Sequence, residues 1–166
     1  IGALRILDAC VALMPTPESR KVEGVGKEGK PVMVFCNEKD HAVAQVLKTV
    51  SDPFAGRISY LRVFAGHLQS DGTYWNSTRG VPERFSGLFL PQGKEHVNIA
   101  EAWAGDIVAV AKLKETLTGD TLTARDHPVV LPALTVPEAS IAYAIEPKTK
   151  GDEDKISTAL HKLIEE

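Results

Sequence analysis

Residues 52–66 decide the fold of this chain, and they read DPFAGRISYLRVFAG. The stretch opens with turn chemistry, because Pro53 fixes its own φ and Gly56 permits a tight backbone. A run rich in β-branched and aromatic residues follows and ends at Gly66. Such a run between turn residues predicts a long β-strand.

The apolar side chains of this predicted strand change phase midway. Leu61, Val63 and Ala65 alternate at strand period, whereas Ile58 and Tyr60 have the opposite phase. A strand of this kind is either bulged or covered on both faces. Long, bent strands are typical of small closed barrels, so the sequence predicts one here.

Short strands are also predicted on either side of this stretch. Turn signals separate them and no helical periodicity intervenes, which is typical of an antiparallel barrel. Asp71-Gly72 predicts a tight hairpin between two of the strands. The side chains predicted to point inward are Leu61, Val63, Ile107 and Ala109. The predicted strands are 42–50, 57–65, 68–70, 73–75, 84–90, 95–103, 107–113 and 121–123.

The two ends of the chain have a different character. Residues 3–14 carry apolar side chains at spacings of three and four, which predicts a helix. Residues 15–40 read as a linker with a short strand at 32–35. Residues 140–145 predict one strand, and residues 152–166 predict one amphipathic helix. A lone strand and helix cannot bury themselves as a domain, and the first residue is not methionine, so we expect a piece of a longer protein.

Composition sets the broad class of the protein. The chain has 166 residues, 43% hydrophobic and 25% charged, which is typical of a globular domain. It contains no apolar run long enough to span a membrane and no charged signal-peptide start. Its two cysteines form no metal or redox motif, and its histidines lack metal-ligand spacing. The net charge of −3 gives no support for a nucleic-acid partner, which must come from local patches or from family resemblance.

Four stretches in one order resemble translation elongation factor G, the ribosomal translocase. Residues 52–66 resemble the second strand of its domain II, and the other three are AGDIVAV at 104–110, TGDTL at 118–122 and IEPKTK at 145–150. The resemblance covers essentially the whole chain. It implies a mainly β fold: a closed antiparallel β-barrel of the translation-factor domain II type, an N-terminal helix, and a C-terminal strand–helix fragment of a ferredoxin-like domain. The implied divisions are the end of a G domain (1–22), a linker (23–40), domain II (41–137) and the start of domain III (138–166).

The resemblance also implies a function. The chain would be part of a ribosome-associated translational GTPase of the cytoplasm, monomeric and without a membrane partner. Its barrel would dock on small-subunit rRNA and couple the G domain to domain III. GTP and Mg²⁺ would belong to the missing G domain, because residues 24–27 and 37–40 depart from the phosphate-loop and guanine motifs. We therefore expect no cofactor in this chain and no enzymatic activity of its own.

Five basic residues are the candidate rRNA contacts. Phosphate binding needs several of them on one surface, whereas isolated charges on strand edges serve to block aggregation, and the sequence leaves both roles open. A bulge at Tyr60-Leu61 would bring Arg57 and Arg62 to one face of the strand. The candidates are Arg57, Arg62, Arg79, Arg84 and Lys94.

Three alternatives remain at this stage. The parent could be a sister factor, such as a ribosomal protection protein or peptide chain release factor 3, although residues 147–150 and the acidic helix after them favour elongation factor G. Residues 92–95 depart from the family pattern and suggest a divergent paralogue. A barrel that binds a small molecule such as flavin would need convergent polar groups in a pocket, which no sequence feature supports.

Overall fold

The computed structural model describes residues 2–52, 56–93, 95–135, 137–147, 149 and 151–164. Within these ranges, twelve strands lie between helix α1 (Ala3–Leu13) and helix α2 (Glu153–Ile164), so the predicted mainly β fold with two terminal helices is confirmed. The strands are β1 (Lys21–Val25), β2 (Pro31–Phe35), β3 (Val43–Asp52), β4 (Gly56–Ala65), β5 (His67–Gln69), β6 (Thr73–Asn76), β7 (Val81–Arg84), β8 (Leu88–Gln92), β9 (Glu95–Ile99), β10 (Glu101–Trp103), β11 (Ile107–Ala111) and β12 (Thr121–Thr123).

Eight of the strands form one antiparallel sheet, in the order β7-β6-β12-β3-β4-β11-β8-β9. β3 and β4 are its longest members and lie at its centre, where they pair from Val43 opposite Ala65 to Asp52 opposite Gly56. β5 and β10 form a separate antiparallel pair, and β1 and β2 form another. Among the described residues the main ladder begins at β7 and ends at β9, with no pairing between those two strands.

The main apolar core lies on one face of this sheet. It collects fully buried side chains from central strands, such as Leu61 and Val63, and from near both ends of the ladder, such as Phe85 and Leu88. Since residues near both ends share one core, the sheet curls around it as barrels do. The inward placement of Leu61 and Val63 is confirmed.

The phase change in β4 comes from burial on both faces of the strand. Ile58 packs with Phe89 and Ala109 in a second cluster, separate from the main core. β4 itself runs unbroken through Tyr60-Leu61, and the extra residue opposite this point is Leu47 on β3. The prediction of a bulge in β4 at Tyr60-Leu61 is therefore wrong.

Two of the four side chains predicted to line the main core lie elsewhere. Ala109 is buried, but it belongs to the second cluster, and Ile107 is 45% exposed. β11 is apolar on both phases, so its pattern alone could not distinguish the two faces.

Several predicted strand boundaries are also wrong. Asp71-Gly72 makes a turn, with Gly72 N–H bonding Gln69 O at 3.1 Å, but β5 pairs with β10 and β6 with β7 and β12. The single strands predicted at 84–90 and 95–103 are each divided in two, into β7 and β8 and into β9 and β10. Residues 140–145 form no strand and are exposed, because they have no partner strand among the described residues.

The segment predicted as a linker contains the β1–β2 hairpin, which packs on the barrel. Val25 pairs with Val130 beyond the last strand, and Val34, on β2, joins a small apolar cluster with Val129. Gly24 is where the two segments approach most closely. A Cβ on Gly24 would lie 2.6 Å from Val129 Cγ1 and 3.0 Å from Val130 O.

The terminal helices are mostly exposed. α1 has no buried residue, and on α2 Leu163 and Ile164 are 67% and 82% exposed. In the part of the chain that the structure describes, neither helix is long and apolar enough to cross a membrane.

Candidate nucleic-acid interface

Two of the predicted rRNA contacts, Arg57 and Arg62, do not share a face. They are five residues apart on a strand without a bulge between them, so their side chains point to opposite sides. Arg57 Nη2 donates to the carbonyl oxygens of Leu113, at 2.5 Å, and Lys114, at 2.8 Å. Arg62 is half-buried, with its guanidinium carbon 6.0 Å from the centre of the Phe64 ring. The expectation that the two arginines form one surface is wrong.

Arg79 is also held by the protein. It lies in the turn between β6 and β7, where its Nε donates to Asp120 Oδ2 at 2.5 Å. The Asp120 side chain is 7% exposed and that of Arg79 is 40% exposed. The same Asp120 oxygen accepts from Leu117 N–H at 2.9 Å and from Asn76 Nδ2 at 3.0 Å. The ion pair thus fixes one edge of the guanidinium and leaves part of it open to solvent.

Glu83 is a functional candidate that the sequence did not indicate. It is 3% exposed, on the inward phase of β7. Its Oε1 accepts from Glu115 N–H at 2.7 Å, and from Thr116 N–H and Thr116 Oγ1, each at 2.9 Å. Its Oε2 accepts from Lys114 N–H at 3.2 Å. One buried carboxylate therefore binds three successive amides of the loop between β11 and β12.

A chain of side-chain hydrogen bonds joins Glu83 to the Arg79 ion pair. Thr116 Oγ1, which donates to Glu83, accepts from Asn76 Nδ2 at 3.0 Å. Asn76 Nδ2 also donates to Asp120. Asn76 and Thr116 are completely buried, so the chain is shielded from water along most of its length. In that environment an unpaired member would be costly, which favours one fixed arrangement.

The remaining predicted contact that the structure describes, Arg84, lies in a basic groove. It is exposed on β7, next in sequence to Glu83 but on the opposite phase. Lys112 and Lys114 also line the groove, together with Asp71 and two uncharged residues. The groove has a volume of about 500 Å³. Lys94, the fifth predicted contact, lies outside the described residues.

The three basic side chains of this groove have no partner among the residues that the structure describes. In the described ranges, the ion pairs involve other lysines and arginines, and no hydrogen bond uses the side chain of Arg84, Lys112 or Lys114. Lys112 has φ of 63°, in the left-handed region that few residues other than glycine adopt. Its N–H bonds Arg57 O at 2.8 Å, so the unusual turn that presents the two lysines is fixed by β4.

Other reactive groups do not form a site. The described residues include no group of three or more His, Cys, Asp or Glu side chains that could hold a metal. Burial raises the pKa of the Cys36 thiol, which makes it a poor nucleophile. Burial also raises the pKa of the Tyr74 hydroxyl, which accepts a 2.7 Å bond from Gln69 N–H.

The comparisons with known proteins agree with this fold. Residues 41–125 match the family model described as "Elongation factor G domain 2", and residues 136–166 match "Elongation Factor G, domain III". The chain is 40% identical to Elongation factor G of Rhodopseudomonas palustris (strain BisB18), over 99% of this chain and 24% of that protein. A crystal structure of a Thermus thermophilus protein superposes with a TM-score of 0.74 at 28% identity, covering 100% of this chain and 23% of that one.

The chain therefore has the fold of a translation-factor domain II, with a segment that follows it in the same family. It belongs to the elongation factor G family. It spans about a quarter of the length of the Rhodopseudomonas palustris relative.

Proposed function

We propose that this chain is the ribosome-docking part of a translational GTPase, and that its barrel binds phosphates of small-subunit rRNA. The observation that carries the proposal is the basic groove of a chain in the elongation factor G family. Phosphate contacts require several cations on one surface, and Arg84, Lys112 and Lys114 meet that requirement without internal partners among the described residues.

The candidate residues take different roles in this proposal. Arg84 contacts phosphate directly, and the open edge of Arg79 contributes a further cation at the other end of β7. Val81 and Arg84 are three strand positions apart, or about 10 Å, so both ends can meet one strand of RNA. Arg57 acts on the loop carbonyls instead of on RNA.

The wider role follows from the family. The parent protein would hydrolyse GTP in a separate G domain and act in the translocation step of protein synthesis in the cytoplasm. The barrel would link that domain to domain III, and GTP and Mg²⁺ would bind outside this chain. The chain would work as a monomeric adaptor without catalytic activity.

The test is sedimentation of the 166-residue chain with small ribosomal subunits at two salt concentrations. One phosphate neutralised by each of the three groove cations predicts that a fourfold rise in salt lowers affinity about 20- to 40-fold, and a further contact by Arg79 would make the fall steeper. Arg84→Glu should weaken binding and flatten this dependence. Arg5→Glu makes the same charge change at an exposed position on α1 and should leave binding near that of wild type. If Arg84→Glu and wild type bind equally at both salt concentrations, or if neither sediments with the subunits, the proposal is wrong.

A further inference from the structure

The loop that carries Lys112 and Lys114 is clamped from two sides by buried or half-buried charges. Arg57 binds its carbonyl oxygens at Leu113 and Lys114. Glu83 binds its amides at Lys114, Glu115 and Thr116. Surface loops normally satisfy their backbone groups with water. Here two side chains of opposite charge bind the backbone of four consecutive residues, which is more than is needed to connect two strands.

We propose that Glu83 is a positioning residue, which holds Lys112 and Lys114 beside Arg84 in the arrangement that binds RNA phosphate. This inference rests on the proposed docking function. The geometry supports it because Glu83 and Arg84 are adjacent on β7 and point to opposite faces. β7 therefore holds Arg84 directly, and through the Glu83 carboxylate it also holds the loop that carries Lys112 and Lys114.

The same carboxylate also reaches the distant cation. Glu83 bonds Thr116 Oγ1, and that hydroxyl continues through Asn76 to Asp120 and Arg79. Two of the four cations of the docking surface, Lys114 and Arg79, are thus joined by one hydrogen-bonded chain that is buried along most of its length. Such a surface is ordered before RNA arrives, which lowers the entropy cost of binding.

The inference gives an unusual expectation for the sign of a charge effect. Glu83→Gln removes a negative charge next to a phosphate-binding surface, so electrostatics alone predicts tighter binding. Positioning predicts weaker binding, because a glutamine amide presents a donor where Lys114 N–H or a Thr116 group needs an acceptor. Glu115→Gln is the matched control: Glu115 is exposed on the same loop and only its own N–H is bound to Glu83.

The experiment measures binding of wild type, Glu83→Gln and Glu115→Gln to small ribosomal subunits across a salt series. We expect Glu115→Gln to bind as wild type or slightly more tightly. We expect Glu83→Gln to lose about eightfold in affinity at about 0.1 M salt for each phosphate contact that it releases, and the log–log salt slope to decrease by about one per contact. A loss of stability alone would lower the folded fraction without changing that slope.

A second variant covers the possibility that Glu83→Gln does not fold. Thr116→Val keeps the size and charge of the side chain and its N–H bond to Glu83, but it removes the hydroxyl that continues the chain to Asn76. It should also flatten the salt dependence, because Asn76 loses one of its partners and Asn76 Oδ1 is the acceptor that holds the backbone N–H groups of Thr78 and Arg79. If the folded variants have the wild-type slope and affinity while wild type binds, the positioning role is wrong and docking stands. If wild type does not bind, the positioning role and the proposed docking function are both wrong.

Discussion

Val63→Asp tests the barrel core most directly. Val63 is completely buried at the centre of β4, in the main apolar cluster. Losing its apolar burial costs about 2 kcal/mol. Burying a neutral carboxyl without a partner adds about 1–3 kcal/mol. Keeping that carboxyl protonated at pH 7 costs about 4 kcal/mol, because its ordinary pKa near 3.9 lies about three pH units lower, at about 1.36 kcal/mol each. The total of about 7–9 kcal/mol is comparable to the whole stability of a typical domain.

The assay is urea unfolding followed by circular dichroism at two pH values. Burial raises the pKa of the introduced carboxyl in the folded state, so its destabilising effect is largest at neutral pH and decreases as the pH falls. At about pH 5 we expect the penalty to be about 3 kcal/mol smaller than at pH 7. Val97→Asp is the control, because Val97 is 42% exposed on edge strand β9. A Val63→Asp protein that unfolds within about 1 kcal/mol of wild type would refute the placement of this strand, since that is close to the precision of the method.

Four further predictions concern other parts of the chain. Gly66→Ala should destabilise the protein by more than about 2 kcal/mol, because φ at this position is +66° and the added Cβ would lie 2.5 Å from Asp40 O. Gly80→Ala should cost less, because Gly80 has a similar φ of +72° but open space around it, and thermal unfolding compares the two variants. Burial raises the Tyr74 pKa, so stability should fall as the pH rises past about 10, and Tyr74→Phe should remove that fall in urea titrations at high pH. Calorimetry with GTP and Mg²⁺ should show no micromolar site, because the chain lacks the nucleotide motifs. Amides of α2 should exchange quickly with deuterium, because its apolar side chains are largely exposed, and strong protection in a dilute monomer would contradict this.

The central pair of strands could be predicted because its signal is local. The length of β4, its turn residues and the alternation of Leu61 and Val63 are all visible within one short window. The pairing partners of the shorter strands were harder to predict from the sequence. β5 joins β10, about thirty residues later, and nothing near Asp71-Gly72 indicates that its two flanking strands separate.

The candidate site was only partly predictable for the same reason. Arg84 lies on a barrel strand, as the sequence indicated, and its contact with RNA stays a prediction. The carbonyl partners of Arg57 lie 56 and 57 residues later in the chain, so the sequence could not indicate that its guanidinium is occupied by them. Glu83 bonds groups 31 to 33 residues away, and a glutamate flanked by proline and arginine gives no sign that it is buried. Interactions over such distances depend on the fold and leave no periodic trace in the sequence.

The close approach of Gly24 to Val129 has a consequence for making chimeras of related factors. A side chain at position 24 would occupy the space of the Val129 methyl group, so residue size at one position constrains residue size at the other. We expect substitutions at these two positions to be inherited as pairs, with a larger residue at 24 accompanied by a smaller one at 129. A hairpin transplanted from a relative should therefore fold well only when the segment around Val129 and Val130 is transplanted with it.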